Sequence, residues 1–587
     1  MGSDSKIVFN KCLQKTDTLH GLFLVCVLIF FASCTSNQEV PLNVIIILTD
    51  DQGWGDVAFH ENDIVETPNL TKLSSESIEF TRFYVSPVCA PTRASIFTGK
   101  YHLSTGTSWV THRKEVMRDN EYTLAELFKD NGYKTGLFGK WHNGKQFPNN
   151  PTGQGFDEFI GFTDGHLNNY FNSHILNKDD KITAEGYLPD YLTKEAIKFM
   201  DNSQGPFFCM LTLNTPHSPF QVPDSYFDKY KEKGMSDKDA CVYGMVENID
   251  DNIGIIEAFL KEKKLGDNTI LIFMTDNGPN GVRYNGGFRG VKGHVDEGGV
   301  RVPFLIKIPG YKPMVTDEAA AHIDLFPTLA KLTAIKIPDN LNLHGRNISD
   351  ALTGKKLPDR MFFTHQVRRK LDTIPGALRT DKYLLTLLPS DTLLYNLLED
   401  PFQKNPITQK VLQDSLVKAY QKWFIENTKT FDEYIPIQTG HAGIGKVELP
   451  ATDIKETEGS HFYGGFGWAN DWLVHNDSSN WTWGIKEVKG NRYELHLEYS
   501  LDSIGPEGVE FEYYVDEILK GKESLKTKIG KEKLESPDRV VRGEVYEYIW
   551  ISKKIGEIDI PKGEFNFKLE VRGKGYFELK ALHLVKI

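Results

Sequence analysis

Cysteine is scarce in this chain: 587 residues carry six, and Cys12, Cys26 and Cys34 all lie near the start. The other three, Cys89, Cys209 and Cys241, are too few and too scattered to staple a large fold with disulfides. Stability must come from a buried core, and Cys89 needs another explanation. Long apolar runs are missing too, since no stretch reaches the ~20 residues a membrane-spanning helix requires. Nor is there a basic excess. A formal charge of -12 argues against a nucleic-acid or general polyanion binder. An anionic substrate can still be held by a few convergent cations in a cleft, because near charges dominate the local field.

What the chain does have at its start is a basic region with Lys6, Lys11 and Lys15, an apolar run from Gly21 to Phe31, and Ala32-Ser33-Cys34. That is the order of an export signal. Residues 28–34 resemble the lipobox of bacterial lipoproteins, in which the Cys is lipidated, although Phe31 stands where Leu is usual. A plain cleaved signal is the alternative. The expectation is a signal peptide over 1–33, lipidation at Cys34, a tether over 34–42, and membrane contact only through a lipid anchor. The protein would then be an exported bacterial one, in the periplasm or at the outer membrane or cell surface.

The remaining length calls for two or three folded units. From residue 43, short apolar runs alternate with amphipathic stretches, as in an α/β fold with a largely parallel sheet. Residues 43–48, 134–138, 206–213 and 269–274 read as buried strands. Residues 123–130, 243–261 and 322–332 have helical spacing, with Gly132 stopping the first of these. This unit is assigned to 43–340. Shorter strands at 382–387 and 392–396 and a helix over 409–428 make a small α+β subdomain of 341–435. In 445–587 the segments 493–499, 509–513 and 565–571 alternate apolar and polar residues with period two, so an all-β sandwich is expected. Its Trp468, Trp472, Trp481 and Trp483 admit two readings, core packing or carbohydrate stacking.

Candidate chemistry begins with carboxylates. Asp50-Asp51 follows the strand ending at Leu48, and Asp276-Asn277-Gly278 follows the strand ending at Met274. Ligands bind at the carboxyl ends of strands in open parallel sheets, so both pairs can face one crevice. Four oxygen donors there suit a hard cation, Ca²⁺ or Mg²⁺, better than zinc. Taken singly, each pair is also ordinary turn chemistry.

The run Cys89-Ala90-Pro91-Thr92-Arg93, followed by Ser95, Thr98 and Gly99, resembles the modification motif of type I, formylglycine-dependent sulfatases of the alkaline phosphatase-like superfamily. Lys140-Trp141-His142, Pro216-His217-Ser218-Pro219, Asp276-Asn277-Gly278, Lys292-Gly293, residues 297–303 and residues 324–329 are similar to further motifs of that family. They occur in its order across roughly 43–400.

The resemblance implies that Cys89 is oxidised to formylglycine by a sulfatase-maturing enzyme and that one Ca²⁺ is held by Asp50, Asp51, Cys89 as its hydrated aldehyde, Asp276 and Asn277. A hydrate offers two oxygens where a thiolate would be a poor ligand for a hard ion. Arg93 would brace the hydrate, and Lys140 and Lys292 would hold sulfate oxygens. His217 would protonate the leaving alcohol and His142 would remove a proton from the second hydroxyl. His112, Arg113, Arg283, Tyr284, His365, Arg368 and Arg369 lie in apparent loops near these motifs and are candidates for contact with a sulfated sugar, or solvated surface. The implied activity is hydrolysis of sulfate esters on a polysaccharide or oligosaccharide, with algal ulvan or carrageenan ranked first. A formylglycine phosphodiesterase or phosphonate monoester hydrolase is the enzymatic alternative. A silent surface glycan-binding protein is the non-enzymatic one.

Overall fold

The computed structural model describes residues 41–587 apart from 368–369, 432–433 and 506–507. The expected export signal, Cys34, Arg368 and Arg369 therefore lie outside the described residues, and among those described no helix is long and apolar enough to cross a membrane.

A ten-stranded sheet organises the N-terminal half. In chain order its strands are β1 (Asn43–Thr49), β2 (Ile78–Phe80), β3 (Lys134–Lys140), β4 (Glu158–Phe162), β5 (Phe171–Asn177), β6 (Asp180–Tyr187), β7 (Phe207–Thr212), β8 (Thr269–Thr275), β9 (Phe304–Lys307) and β10 (Met314–Thr316). Across the sheet they run β10-β2-β9-β8-β1-β7-β3-β4-β5-β6. The five central strands from β8 to β4 are parallel. Both rims contain antiparallel pairs, so the sheet is mixed and mostly parallel at its centre, as expected. Every residue of β1, β7 and β8 is buried, which explains their unbroken apolar composition: helices cover both faces.

Register decides what this sheet presents. Thr49 lies opposite Thr275, and Thr212 lies opposite both Leu48 and Gly139. The residues at the ends of these four strands therefore emerge together: Asp50 and Asp51, Asp276 and Asn277, the loop to His217, and Lys140. Close strand approach at this end requires glycine. A Cβ on Gly139, whose φ is +123°, would lie 2.0 Å from the Thr212 carbonyl oxygen.

The amphipathic stretches fold as helices with altered limits. The first runs Leu124–Asp130, with Thr123 as its N-cap in a capping box with Glu126. The second extends over Asp237–Glu262, six residues upstream of the expected start, because Ser236 caps it there and the polar Asp237-Lys238-Asp239 opens its first turn. Residues 322–324 form a tight turn ahead of the helix Leu325–Leu332.

A four-stranded antiparallel sheet (Phe362–His365, Gly376–Arg379, Tyr383–Leu387, Thr392–Asn396) comes next, packed by the helix Lys410–Thr428. The C-terminal region is a second ten-stranded sheet, antiparallel except where Ile437–Thr439 joins it. Its long strand Leu473–Glu487 pairs with Gly575–Lys586 at Leu473–Val474 and with Gly563–Arg572 over Ser478–Glu487. Such a change of partner, together with bulges after Leu495, Glu498 and Leu501, lets a sheet bend over its own core. The layers expected of a sandwich thus belong to one hydrogen-bonded sheet. Trp481 and Trp483 are buried in that core and Trp472 is buried in a satellite cluster, as the packing reading requires. Trp468 is 39% exposed.

Candidate active site

The helix Cys89–Thr98 is buried at every position, and Cys89 opens it. Thr92 fixes the approach to this turn, accepting a hydrogen bond from Ser86 N at 3.0 Å and donating to the Ser86 carbonyl at 3.2 Å. Arg93, one turn on and on the same face as Cys89, donates from Nε and Nη2 to Asp276 Oδ2 at 3.1 and 2.8 Å and from Nη1 to the Lys140 carbonyl at 2.6 Å. One guanidinium so ties the Cys89 helix to two strand ends. Arg93→Gln is expected to cost about 3–5 kcal/mol, because it leaves buried carboxylates uncompensated. Arg93→Lys cannot reproduce the fork. Denaturant midpoints of the two variants check this.

Three buried carboxylates face three cations here. Lys140 Nζ lies 2.5 Å from Asp50 Oδ2, and Lys292 Nζ lies 2.6 Å from Asp51 Oδ1. Asn277 Nδ2 donates to Asp51 Oδ1 at 2.8 Å, and Asp51 N donates to Asp276 Oδ1 at 3.3 Å. Asp51 and His142 both hold left-handed backbone, with φ of 66° and 65°, a conformation that clusters at functional sites in non-glycine residues. Ligand atoms of Asp50, Cys89 and Asp276 lie within 4.8 Å of one another, and so do those of Asp50, Asp51 and His217.

The donor set fits a hard cation. Asp50 Oδ1, Asp51 Oδ2 and Asn277 Oδ1 are buried without a hydrogen-bond partner, although buried oxygens are nearly always satisfied. Burial pushes the Asp50 carboxyl up, but Lys140, His217, Arg93 and Lys292 together hold it well below the usual carboxylate range. Burial and the Asp50 charge outweigh Arg93 at Asp276 and raise it to about 7. A divalent cation would remove the reason for that rise.

Burial favours the neutral form of both histidines. Burial, with Lys140 beside it, pushes His142 well below the ordinary histidine value. Its Nε2 lies 2.8 Å from the Val110 carbonyl, and its Nδ1 has no partner, so Nδ1 is a free acceptor in the tautomer that bonds Val110. Burial and Lys292 also lower His217. Its Nδ1 lies 2.6 Å from the Ser218 carbonyl, and its Nε2 lies 3.7 Å from Asp51 Oδ2. Tyr170 pins this loop, its hydroxyl lying 2.7 Å from the Ser218 carbonyl and 3.0 Å from that of His217. Side chains of Lys292 and His217 retain 21% and 12% exposure, whereas Asp50 and Arg93 have none. A substrate must arrive from the Lys292 and His217 side.

The family model for sulfatases matches residues 42–335, half of the chain. The chain belongs to the sulfatase family. It is a sulfuric ester hydrolase by that membership and by its curated relatives. N-acetylgalactosamine-6-sulfatase of Canis lupus familiaris is 29% identical over 366 residues, 56% of this sulfatase and 69% of that protein. The crystal structure of Ps i-CgsB in complex with k-i-k-neocarrahexaose superposes with a TM-score of 0.63 at 27% identity, over 67% of this chain and 94% of that one. Phosphonate monoester hydrolase of Agrobacterium radiobacter, at 18% identity and TM-score 0.50 over 66% of this chain and 95% of that one, shares the fold.

The nine motif residues Asp50, Asp51, Cys89, Arg93, Lys140, His142, His217, Asp276 and Asn277 stand at one end of the sulfatase sheet, and Lys292 reaches them by its contact with Asp51. The outer candidates scatter. Arg113 is buried against Asp453 at 3.2 Å and the carbonyls of Ile435 and Pro436, so its guanidinium is already used between segments. Arg283 grips Asp56 and donates to the Asp51 carbonyl at 2.9 Å, bracing the Asp51 turn. Tyr284 bonds the His60 carbonyl. His365 is buried beside Tyr420 in the small sheet, its Nδ1 2.7 Å from that hydroxyl. His112, like Arg113, touches the C-terminal region, with its Nε2 3.2 Å from the Phe466 carbonyl. His166 and Glu544 also border His217. Nothing in their local sequence marks them, since a lone His after Asp-Gly and a Glu in a polar loop read as surface.

Proposed function

We propose that this sulfatase removes sulfate from an algal polysaccharide or oligosaccharide, carrageenan or ulvan first, using formylglycine made from Cys89 and one Ca²⁺. The observation that carries the reading is the convergence of three unpartnered buried oxygens, from Asp50, Asp51 and Asn277, beside Cys89, Lys140 and Lys292. The neocarrahexaose bound to a structural neighbour and the proposed export with a lipid on Cys34 support an extracellular sulfated glycan.

Asp50, Asp51, Asp276 and Asn277 would hold the cation together with residue 89. When bound, the cation supplies positive charge against an ionised hydroxyl and the sulfate group. Once oxidised by a maturing enzyme, position 89 supplies that hydroxyl as an aldehyde hydrate. Lys140 and Lys292 bind the sulfate oxygens and offset the charge that grows during transfer. His217 acts in its charged form, which Asp51 and Asp50 favour: it keeps the Nδ1 proton on the Ser218 carbonyl and gives the Nε2 proton to the departing sugar oxygen. His142 then takes a proton from residue 89 at its free Nδ1, which releases sulfate and restores the aldehyde.

His217→Ala should therefore slow desulfation of a sugar by about 10²- to 10⁴-fold. It should slow 4-nitrophenyl sulfate much less, because nitrophenolate leaves without a proton. Equal losses on both esters would remove His217 from this role. Parallel assays on 4-nitrophenyl sulfate and bis(4-nitrophenyl) phosphate test the reaction class. Preference for the sulfate is expected, and preference for the phosphodiester would select the phosphonate hydrolase-like alternative.

A further inference from the structure

Two loops of the C-terminal sheet end at the catalytic histidines. In residues 463–470, the Phe466 carbonyl lies 3.2 Å from His112 Nε2, and Asn470 Nδ2 donates to the His166 carbonyl at 3.3 Å. Ala469 of the same loop lines the small gap that also holds His142. Residues 536–547 reach the other histidine: Glu544 Oε1 accepts from Ser218 Oγ, on the residue after His217, at 2.5 Å. The loops meet each other, since the Trp468 ring comes within 4.0 Å of a Cβ built on Gly543.

This junction carries two kinds of unused surface. Trp468 and Phe466 are 39% and 53% exposed, and their rings stack with centroids 4.9 Å apart and an interplanar angle of 18°. The other three tryptophans considered for stacking are buried, so the apolar face is local to this loop. His166, whose carbonyl Asn470 of the same loop bonds, is 6% exposed with neither ring nitrogen bonded, and its ring lies 5.9 Å from that of His217. Asn214 and Asn168 nearby also carry buried side-chain atoms without partners. Buried polar groups left unpaired are costly, and a hydroxyl-rich ligand satisfies them. A flat aromatic face beside unpaired hydrogen-bonding groups matches a pyranose, which has an apolar C–H face and a polar edge.

Resting on the reading of the chain as a glycan sulfatase, we propose that the C-terminal sheet builds the leaving-group wall of the catalytic cleft. Trp468, backed by Phe466, stacks on a pyranose ring of the substrate, while Glu544 and His166 hydrogen-bond hydroxyls of the sugar that carries the ester. Trp468 and Glu544 are then specificity-determining residues, and they lie beyond the segment that the sulfatase family model matches. Sugar choice would be encoded in the C-terminal region and sulfate chemistry in the N-terminal half.

The test uses the full-length chain with Cys89→Ala, so that binding is measured without turnover. Calorimetry with a carrageenan hexasaccharide and an ulvan oligosaccharide is expected to show binding of at least one. Adding Trp468→Ala should weaken it by about 10- to 100-fold, Trp468→Phe should recover most of the loss, and Glu544→Gln should cost about tenfold. In the mature enzyme the same variants should lower kcat/KM on the bound glycan relative to 4-nitrophenyl sulfate by matching factors. Unchanged glycan affinity in Trp468→Ala and Glu544→Gln, or equal loss on both substrates, would overturn the wall, as would a parent chain that binds neither glycan. Failure of the mature wild type on 4-nitrophenyl sulfate, with glycan binding intact, would instead sink the catalytic reading and leave the wall standing.

Discussion

Cys89→Ala is expected to lower turnover of any sulfate ester by at least about 10⁴-fold, the scale on which loss of a nucleophile is felt. Thermal stability should shift by no more than a few degrees. The side chain is small and buried, the helix it opens is held by Arg93 and Thr92 rather than by sulfur, and alanine is a good helix former. Burial raises the Cys89 thiol above its ordinary value despite Lys140 and Lys292 nearby, so an unmodified cysteine there is a poor nucleophile at neutral pH. Retained activity with Ala at position 89 would remove this residue from the chemistry. A large fall in stability would make any loss of activity uninformative, and Cys89→Ser, which keeps the size of the side chain, then separates the two effects.

Removal of the cation is expected to have the second largest effect. Chelation should suppress turnover by about 10³-fold or more, and added Ca²⁺ should restore it. Lys140, Lys292 and Arg93 would remain in place, but nothing else would offset charge at residue 89. Melting should fall by several degrees, because a ligand bound only by the folded state contributes about 2.7 kcal/mol at one hundred times its dissociation constant. Asp276 sets the sign of the pH dependence. Its carboxyl, raised to about 7 without a cation, must be ionised to serve as a ligand. Affinity should therefore be constant well above pH 7 and decline below it, by up to tenfold per unit. Titration calorimetry in buffers of different ionisation heat would show proton release on binding near neutral pH. Binding that strengthens as pH falls would be incompatible with this donor set.

Much of the catalytic geometry was legible because neighbouring parallel strands deliver their C-terminal residues to the same edge of a sheet. Unbroken apolar runs at 43–48 and 269–274 read as buried strands, so the acidic pairs directly after them could face one crevice, and the pairing of the two strands brings them together. Lys140 and His217 obey the same logic, each placed just after a run in the same sheet. Lys292 was legible only through the resemblance, since it lies on a loop whose path depends on glycine packing: a Cβ on Gly278 would strike the Gly298 carbonyl oxygen at 2.1 Å, and one on Gly299 would strike that of His294 at 2.1 Å. Arg113 and Arg283 looked like free cations because sequence shows charge but not partners. Asp453, 340 residues away, and Asp56 neutralise them across chain separations that no local pattern reveals. His166 and Glu544 escaped for the same reason, whereas Trp468 was visible as a stacking candidate but not separable from the three buried tryptophans. His166 meets His217 within the catalytic half, and Glu544 joins them only when the C-terminal sheet lies against it.

Direct evidence on the central chemistry comes from mass spectrometry of the peptide spanning Cys89, taken from chain co-expressed with a sulfatase-maturing enzyme and assayed from the same preparation. The expected result is an aldehyde at position 89 in a fraction that rises and falls with turnover. A fully active preparation in which that residue is still a thiol would contradict it.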